Sequence, residues 1–155
     1  MYQVPIPYGK LFHQLTKKYI SIISKKLEHL PIERYYHPLL IIAQNDKCLT
    51  QRDLVSILDT DKVSVNRIVD YLENNKMILR NKNPNDRRCQ VLSITSKAKT
   101  FINEIEQAFC DTDYLFEKYS NEKDLFNILK TTTEKIANEP GTAISFHYEK
   151  INTQH

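Results

Sequence analysis

Apolar residues recur at helical spacing through most of the chain, and one stretch breaks that period. From Lys10 to Leu30, the positions Phe12, Leu15, Tyr19, Ile22 or Ile23, Leu27 and Leu30 share a stripe, with Lys17, Lys18, Lys25 and Lys26 available for a solvated side. This spacing predicts a long amphipathic helix that Pro31 stops. Pro38 suits the first turn of a second helix through LLIIAQN, which is apolar nearly all round and therefore expected at the centre of the core. Next, LTQRDLVSILDT offers Thr50 as an N-cap with Asp53 three residues on, and Leu54, Ile57 and Leu58 as the apolar face of a short helix. Only Asp59, Thr60 and Asp61 separate it from a further helical pattern, in which Val65, Ile68, Val69 and Leu72 form the buried stripe. Thr60, Val63, Arg67, Asp70 and Asn74 point the other way, flanked by Ser64 and Asn66. Two brief helices joined by so tight a turn predict a helix-turn-helix, whose second helix would enter the major groove of DNA N-terminus first.

The period changes after that helix. Met77, Ile78 and Leu79 open an extended run, Asn83, Pro84, Asn85 and Asp86 supply turn chemistry, and Gln90, Leu92 and Ile94 alternate with Cys89, Val91 and Ser93. The predicted β-hairpin holds Arg80, Lys82, Arg87 and Arg88 against one acid, Asp86; beside a helix-turn-helix it reads as a wing. Helical spacing then resumes. Thr95 caps a long helix with Ala98, Phe101, Ile102, Ile105, Ala108, Phe109 and Thr112 on one face, continuing toward Leu115 and Phe116. Ser120 is expected to cap another, with Leu125, Ile128 or Leu129, Thr132 and Ile136 inward and Pro140 and Gly141 at its end. The last residues, TAISFHYEKINTQH, have no helical period.

The predicted fold is mainly α with a small β-hairpin wing: a winged helix-turn-helix core flanked by N- and C-terminal dimerisation helices. Its expected parts are residues 1–34 (helix and linker), 35–98 (DNA-binding lobe), 99–141 (C-terminal helices) and 142–155 (tail). The end helices carry more apolar surface than such a lobe can cover. A two-fold dimer would cover it, and would set two recognition helices on one side of a duplex about one turn, roughly 34 Å, apart.

Composition narrows this reading without changing it. With 155 residues, 41% hydrophobic, 26% charged and only two glycines, the chain reads as one helical domain rather than an all-β or α/β one. Its start lacks a signal peptide's basic and apolar runs, and no stretch approaches the roughly 18 apolar residues of a membrane span, so a soluble cytoplasmic protein is expected. A net charge of +3 does not by itself argue for nucleic acid. Its distribution says more, because Glu104, Glu106, Asp111, Asp113 and Glu117 collect acid in the C-terminal third. A DNA-facing surface would therefore lie on the middle segment. Cys48, Cys89 and Cys110 are spaced for neither a disulfide framework nor zinc and are expected reduced and structural, Cys89 as a buried strand residue. The histidines show no convergent metal spacing, and no glycine-rich phosphate loop, GxSxG or HExxH is present, so no metal, cofactor or catalytic site is expected.

The helix ending in YLENNKMILR followed by a wing reading NPNDRRCQVLSIT resembles the winged-helix core of the multiple antibiotic resistance regulator (MarR) family. Asp86, Arg88, Leu92, Ile94 and Thr95 match the family's wing pattern, and Ser64 and Arg67 its recognition-helix pattern. Two positions depart from it. Lys76 stands where the family usually has the glycine that ends the recognition helix, and Ala98 where it usually has one after the wing. A left-handed residue costs a non-glycine roughly 1 kcal/mol, so either Asn75 takes that geometry or the helix ends differently.

The resemblance implies a ligand-responsive repressor that binds a pseudo-palindromic operator as a homodimer through its terminal helices. On this reading Lys62, Val63, Ser64, Asn66 and Arg67 face the major groove, with Val63 meeting a thymine methyl, while Thr50, Gln51 and Arg52 hold phosphates at a helix N-terminus. Arg80, Lys82, Arg87 and Arg88 form the basic wing, whose Arg87 or Arg88 enters the minor groove, and the family likeness has Asp86 pairing with Arg88. Arg67 could instead pair with Asp70 or Tyr71 on a solvated face. Around Tyr8, the residues Phe12, His13, Tyr35, Tyr36 and His37 make either an effector pocket for a small aromatic ligand, as the family commonly has, or ordinary core and interface packing. The alternative from another class is a winged-helix module that docks a protein partner and uses its basic wing only for solubility.

Overall fold

A computed structural model describes residues 7–83, 89–120 and 124–137. Its elements run α1 (Tyr8–Lys26), α2 (Tyr36–Gln44), α3 (Gln51–Ile57), α4 (Lys62–Asn74), β1 (Ile78–Lys82), β2 (Gln90–Ile94), α5 (Ser96–Ser120) and α6 (Leu125–Ala137). This is the mainly helical winged fold that the pattern predicts. The tail, with Pro140 and Gly141, and the hairpin tip from Pro84 to Arg88 lie outside the described residues. Among the described residues no helix is long and apolar enough to cross a membrane.

α2 is the centre of the core, as its all-round apolar sequence requires, with Tyr36, Pro38, Leu39, Leu40, Ile41 and Ile42 buried. It packs against α5 and β2, while α3 packs on α4, and α4 on β1. Ile23 and Leu27 from the end of α1 join this cluster, together with Leu54, Val65, Val69, Leu72, Met77, Ile78, Leu92, Ala98 and Ile105. Burying each large apolar side chain contributes about 1.5–3 kcal/mol, so this cluster is what holds the lobe together.

α1 ends at Lys26, well before Pro31. The proline does not stop it. Leu27, Leu30 and Ile32 are all buried, and a turn in which the Leu30 N–H donates to the Leu27 carbonyl (2.9 Å) brings them onto the core. The Tyr36 hydroxyl donates to that same carbonyl (3.2 Å).

The antiparallel strands pair Ile78 with Ile94 and Lys82 with Gln90 at the two ends of the ladder. A clean two-faced alternation does not form on β2, because Val91, Leu92 and Ser93 are all buried. The segment before α3 runs along its other edge: Leu92 N–H donates to Leu49 O (2.7 Å), Lys47 N–H donates to Leu92 O (3.0 Å), and Thr50 bridges to Val91. Cys89 lies just outside the strand and is exposed, which corrects the expectation of a buried strand cysteine.

Thr95 caps α5 as predicted, its Oγ1 accepting from Ala98 N–H (3.1 Å). Ser120 does not cap α6; it is the last residue of α5 and donates to the Glu117 carbonyl (2.8 Å). Asp124 takes the capping role, accepting from Asn127 N–H (3.3 Å). The apolar side of α6 is not inward either, since Ile128, Leu129 and Ile136 are exposed.

Candidate nucleic-acid interface

The helix-turn-helix is fastened at each end by backbone chemistry that its sequence encodes. Thr50 and Asp53 form the predicted capping box: Thr50 Oγ1 accepts from Asp53 N–H (3.2 Å), and Thr50 N–H donates to Asp53 Oδ2 (2.8 Å). α3 closes on Asp59, whose φ is 45°, with Thr60 N–H reaching the Val55 carbonyl (3.3 Å). α4 opens on Asp61, which accepts from both the Ser64 N–H (2.9 Å) and the Ser64 hydroxyl (2.6 Å). These bonds, the hydroxyl's first, hold the Asp61 carboxyl below the usual carboxylate range.

The end of α4 settles the Lys76 question in a way that neither sequence expectation foresaw. Asn75 stays right-handed (φ −83°), and Lys76 itself adopts the left-handed conformation, with φ 59°. Lys76 N–H donates to Glu73 O (2.8 Å), Met77 N–H donates to Leu72 O (2.9 Å), and Leu72 and Met77 are both fully buried. This is a Schellman cap with its apolar clasp, formed without glycine. The two backbone bonds and the buried pair outweigh a strain of about 1 kcal/mol.

The predicted outer face of α4 is present. Val63 and Arg67 are exposed, and Ser64 and Asn66 are half-buried beside them. Arg67 does not pair with Asp70, because Arg80 has taken that partner. The Arg80 guanidinium leaves β1 to meet Asp70 (2.5 Å) and Glu73, spacing them as neighbours on α4. Arg80 is thus a strut between wing and recognition helix, its guanidinium engaged by two acids of α4. Among the described residues Arg52, Lys62, Arg67 and Lys82 are exposed and carry no ion pair. Asp53, Asp59 and Asp61 lie along the same segment and temper this positive charge.

Other predicted groups are partly spent internally. The Thr50 and Ser64 hydroxyls serve the caps, and Gln51 donates its side-chain amide to Asn66. Asp86, Arg87 and Arg88 lie outside the described residues. Sequence reasoning missed Asp61 as a cap and Asp70 with Glu73 as the anchor for Arg80. The first was legible as an Asp three residues before Ser64, the second as two acids three apart on one helix face.

The five aromatic and histidine residues expected around an effector do not gather in the single chain. Phe12 stacks on Tyr8 (6.3 Å), Tyr35 meets Tyr71 edge-on (4.9 Å), and His37 lies against Phe109 (6.0 Å). Desolvation on that side holds the His37 pKa below its ordinary value. Tyr36 is buried, and His13 is exposed on α1. An open depression of about 540 Å³ lies between the end of α1 and the end of α4. Arg34, Tyr36, Tyr71 and Asn75 help to line it, so it shares only Tyr36 with the predicted set.

A helix-turn-helix with a polar outer face, braced by an antiparallel hairpin, defines the winged helix-turn-helix class of fold. Residues 34–90 match the model of the MarR family. The multiple antibiotic resistance protein MarR of Escherichia coli (strain K12) is 26% identical over 102 residues, which are 66% of this chain and 71% of that protein. The fold is also similar to that of the S. aureus MepR–DNA complex (TM-score 0.75, 18% identity, 87% of this chain and 100% of that one). A mutant E. coli MarR complexed with operator DNA is similar at a TM-score of 0.70 (24% identity, 84% of this chain and 94% of that one). At such identities the structural likeness speaks for the fold. The resemblance read from wing and recognition helix is borne out by the match of residues 34–90 to the MarR family model.

Proposed function

We propose that this regulator binds duplex DNA as a homodimer, with α4 in the major groove and the wing over the adjacent minor groove. The observation that carries the reading is Arg67. It stands exposed on the outer face of α4 with no protein partner among the described residues, because Arg80 has claimed Asp70. Lys62 and Val63 would face the groove beside it, and the unpaired N–H groups at the start of α3, with Arg52, would hold a phosphate. Lys82 and, from the resemblance, Arg87 and Arg88 would supply the wing's contacts. The exposed apolar residues of α1 and α6, among them Leu11, Leu15, Ile128 and Leu129, support a dimer through the terminal helices.

A salt series of duplex binding tests this. For a DNA binder, the logarithm of affinity falls linearly with the logarithm of salt concentration, by about 0.9 for each phosphate neutralised. Arg67→Ala is expected to cost about 1–3 kcal/mol on the preferred duplex and to relax the preference at one base pair. Unchanged binding by both Arg67→Ala and Arg88→Ala, with no salt dependence, would favour a protein-docking module instead.

Release by a small aromatic effector is the second part of the reading. The depression lined by Arg34, Tyr36 and Tyr71 supports it, since a ligand there would touch both α1 and the end of α4. A ligand that favours one spacing of the recognition helices shifts the dimer toward it. Operator affinity unaltered by a panel of phenolic and aromatic acids would leave a constitutive binder.

A further inference from the structure

The carbonyls of Asn75, Lys76 and Met77, which follow one another out of α4, are all taken by two residues at the start of α5. Thr95 N–H donates to Met77 O (2.9 Å), Thr95 Oγ1 donates to Lys76 O (2.8 Å), and Lys97 Nζ donates to Asn75 O (3.2 Å). The same Thr95 hydroxyl accepts from Ala98 N–H (3.1 Å). One oxygen therefore joins the C-terminal end of the recognition helix to the first turn of α5. Lys97 adds a positive charge where the dipole of α4 is negative. α4 packs on α3 and β1, whereas α5 packs on α1 and α2. These bonds thus cross directly between two helices whose main neighbours differ.

We propose that Thr95 and Lys97 are positioning residues for DNA binding: their clamp fixes the angle of α4 against α5, and thereby the spacing of the two recognition helices in a dimer. The proposal rests on the groove-binding homodimer. α5 is 25 residues long, a rod of about 37 Å. Its far end exposes Tyr114 and Tyr119, where a dimer through the terminal helices would hold it. A tilt of about 5° at one end of such a rod moves the other by about 3 Å, close to one base-pair step. An unclamped joint spreads the two helices over several spacings, and an operator of fixed spacing then binds only a fraction of the dimers.

The test uses the full chain and duplexes built from half-sites selected out of a randomised pool. Affinities are measured for two half-sites at the preferred spacing, for the same pair one base pair nearer or farther, and for a single half-site. Thr95→Val keeps the side-chain shape without the hydroxyl, Thr95→Ser keeps the hydroxyl, and Lys97→Met keeps the stem without the charge. The wild type is expected to prefer one spacing, and Thr95→Ser to keep that preference. Thr95→Val and Lys97→Met should each shrink it by roughly two- to tenfold, the worth of a lost hydrogen bond, at unchanged affinity for the single half-site. Weaker folding alone, such as the lost α5 cap in Thr95→Val, lowers affinity on every duplex alike. A wild-type spacing preference in Thr95→Val or in Lys97→Met, or equal losses on one and two half-sites, overturns the clamp and leaves the groove-binding dimer intact. So does a Thr95→Ser variant that behaves like Thr95→Val. A wild type that binds every spacing no better than a single half-site overturns the dimer as well.

Discussion

In the lobe, Leu39, Ile42, Leu54, Val65, Leu72 and Ile78 are out of water, whereas Phe12, Leu15, Ile128 and Ile136 on the terminal helices keep about half of their surface in it. Both regions are written with apolar residues at helical spacing. The difference lies in what the chain brings back to each stripe. Short, capped turns at Asp59 and Lys76 fold α3, α4 and the wing onto one another within a few residues, and β2 packs on α2. α1 and α5 meet that core along only part of their length. α1 buries Ile23 and leaves every residue from Tyr8 to Lys18 exposed, and α5 buries Ala98, Ile105, Ala108 and Thr112, whereas Tyr114 and Tyr119 beyond them are exposed. An amphipathic stripe says that a face needs cover, not what covers it.

Cutting into each region should expose this contrast. Leu72→Ala opens a void beside Met77 and is expected to cost about 2–5 kcal/mol in chemical denaturation. A loss below about 1 kcal/mol would mean that the clasp at the end of α4 collapses around the void. Phe12→Glu with Leu15→Glu should act on assembly instead. Two unpaired charges in a covered interface cost on the order of 3 kcal/mol or more, a hundredfold in the dimer constant, which sedimentation would register as monomer. A dimer unmoved by this change would place the interface elsewhere.

Lys76→Gly removes left-handed strain and should stabilise the lobe by about 1 kcal/mol, seen as a higher midpoint in denaturant. The smallest effect concerns the cap on α4. Asp61 has a folded pKa below its unfolded one, so its contribution is present above the unfolded value and is lost as pH falls through the folded one. Asp61→Asn keeps a good cap and should flatten the acid limb of the stability profile. It also removes a negative charge facing the proposed phosphate track, and so should tighten DNA binding. An acid limb identical to wild type would show that the cap does not titrate with folding.

The sequence by itself determined the order of elements, the capping box at Thr50 and Asp53, the buried stripe of α4, and the likeness carried by the wing. These are local matters of spacing and side-chain chemistry, and they survive any tertiary arrangement. Only the tertiary structure decided which polar groups remain for a partner. Arg67 has Asp70 three residues on and Arg80 has no acid within five residues, yet the strand carries Arg80 over Asp70 and Glu73 and leaves Arg67 in solvent. It also decided that Gln51 grips Asn66 and that the predicted aromatic cluster is spread over three places. Those outcomes depend on how separate elements cross, which the spacing within any one element does not specify.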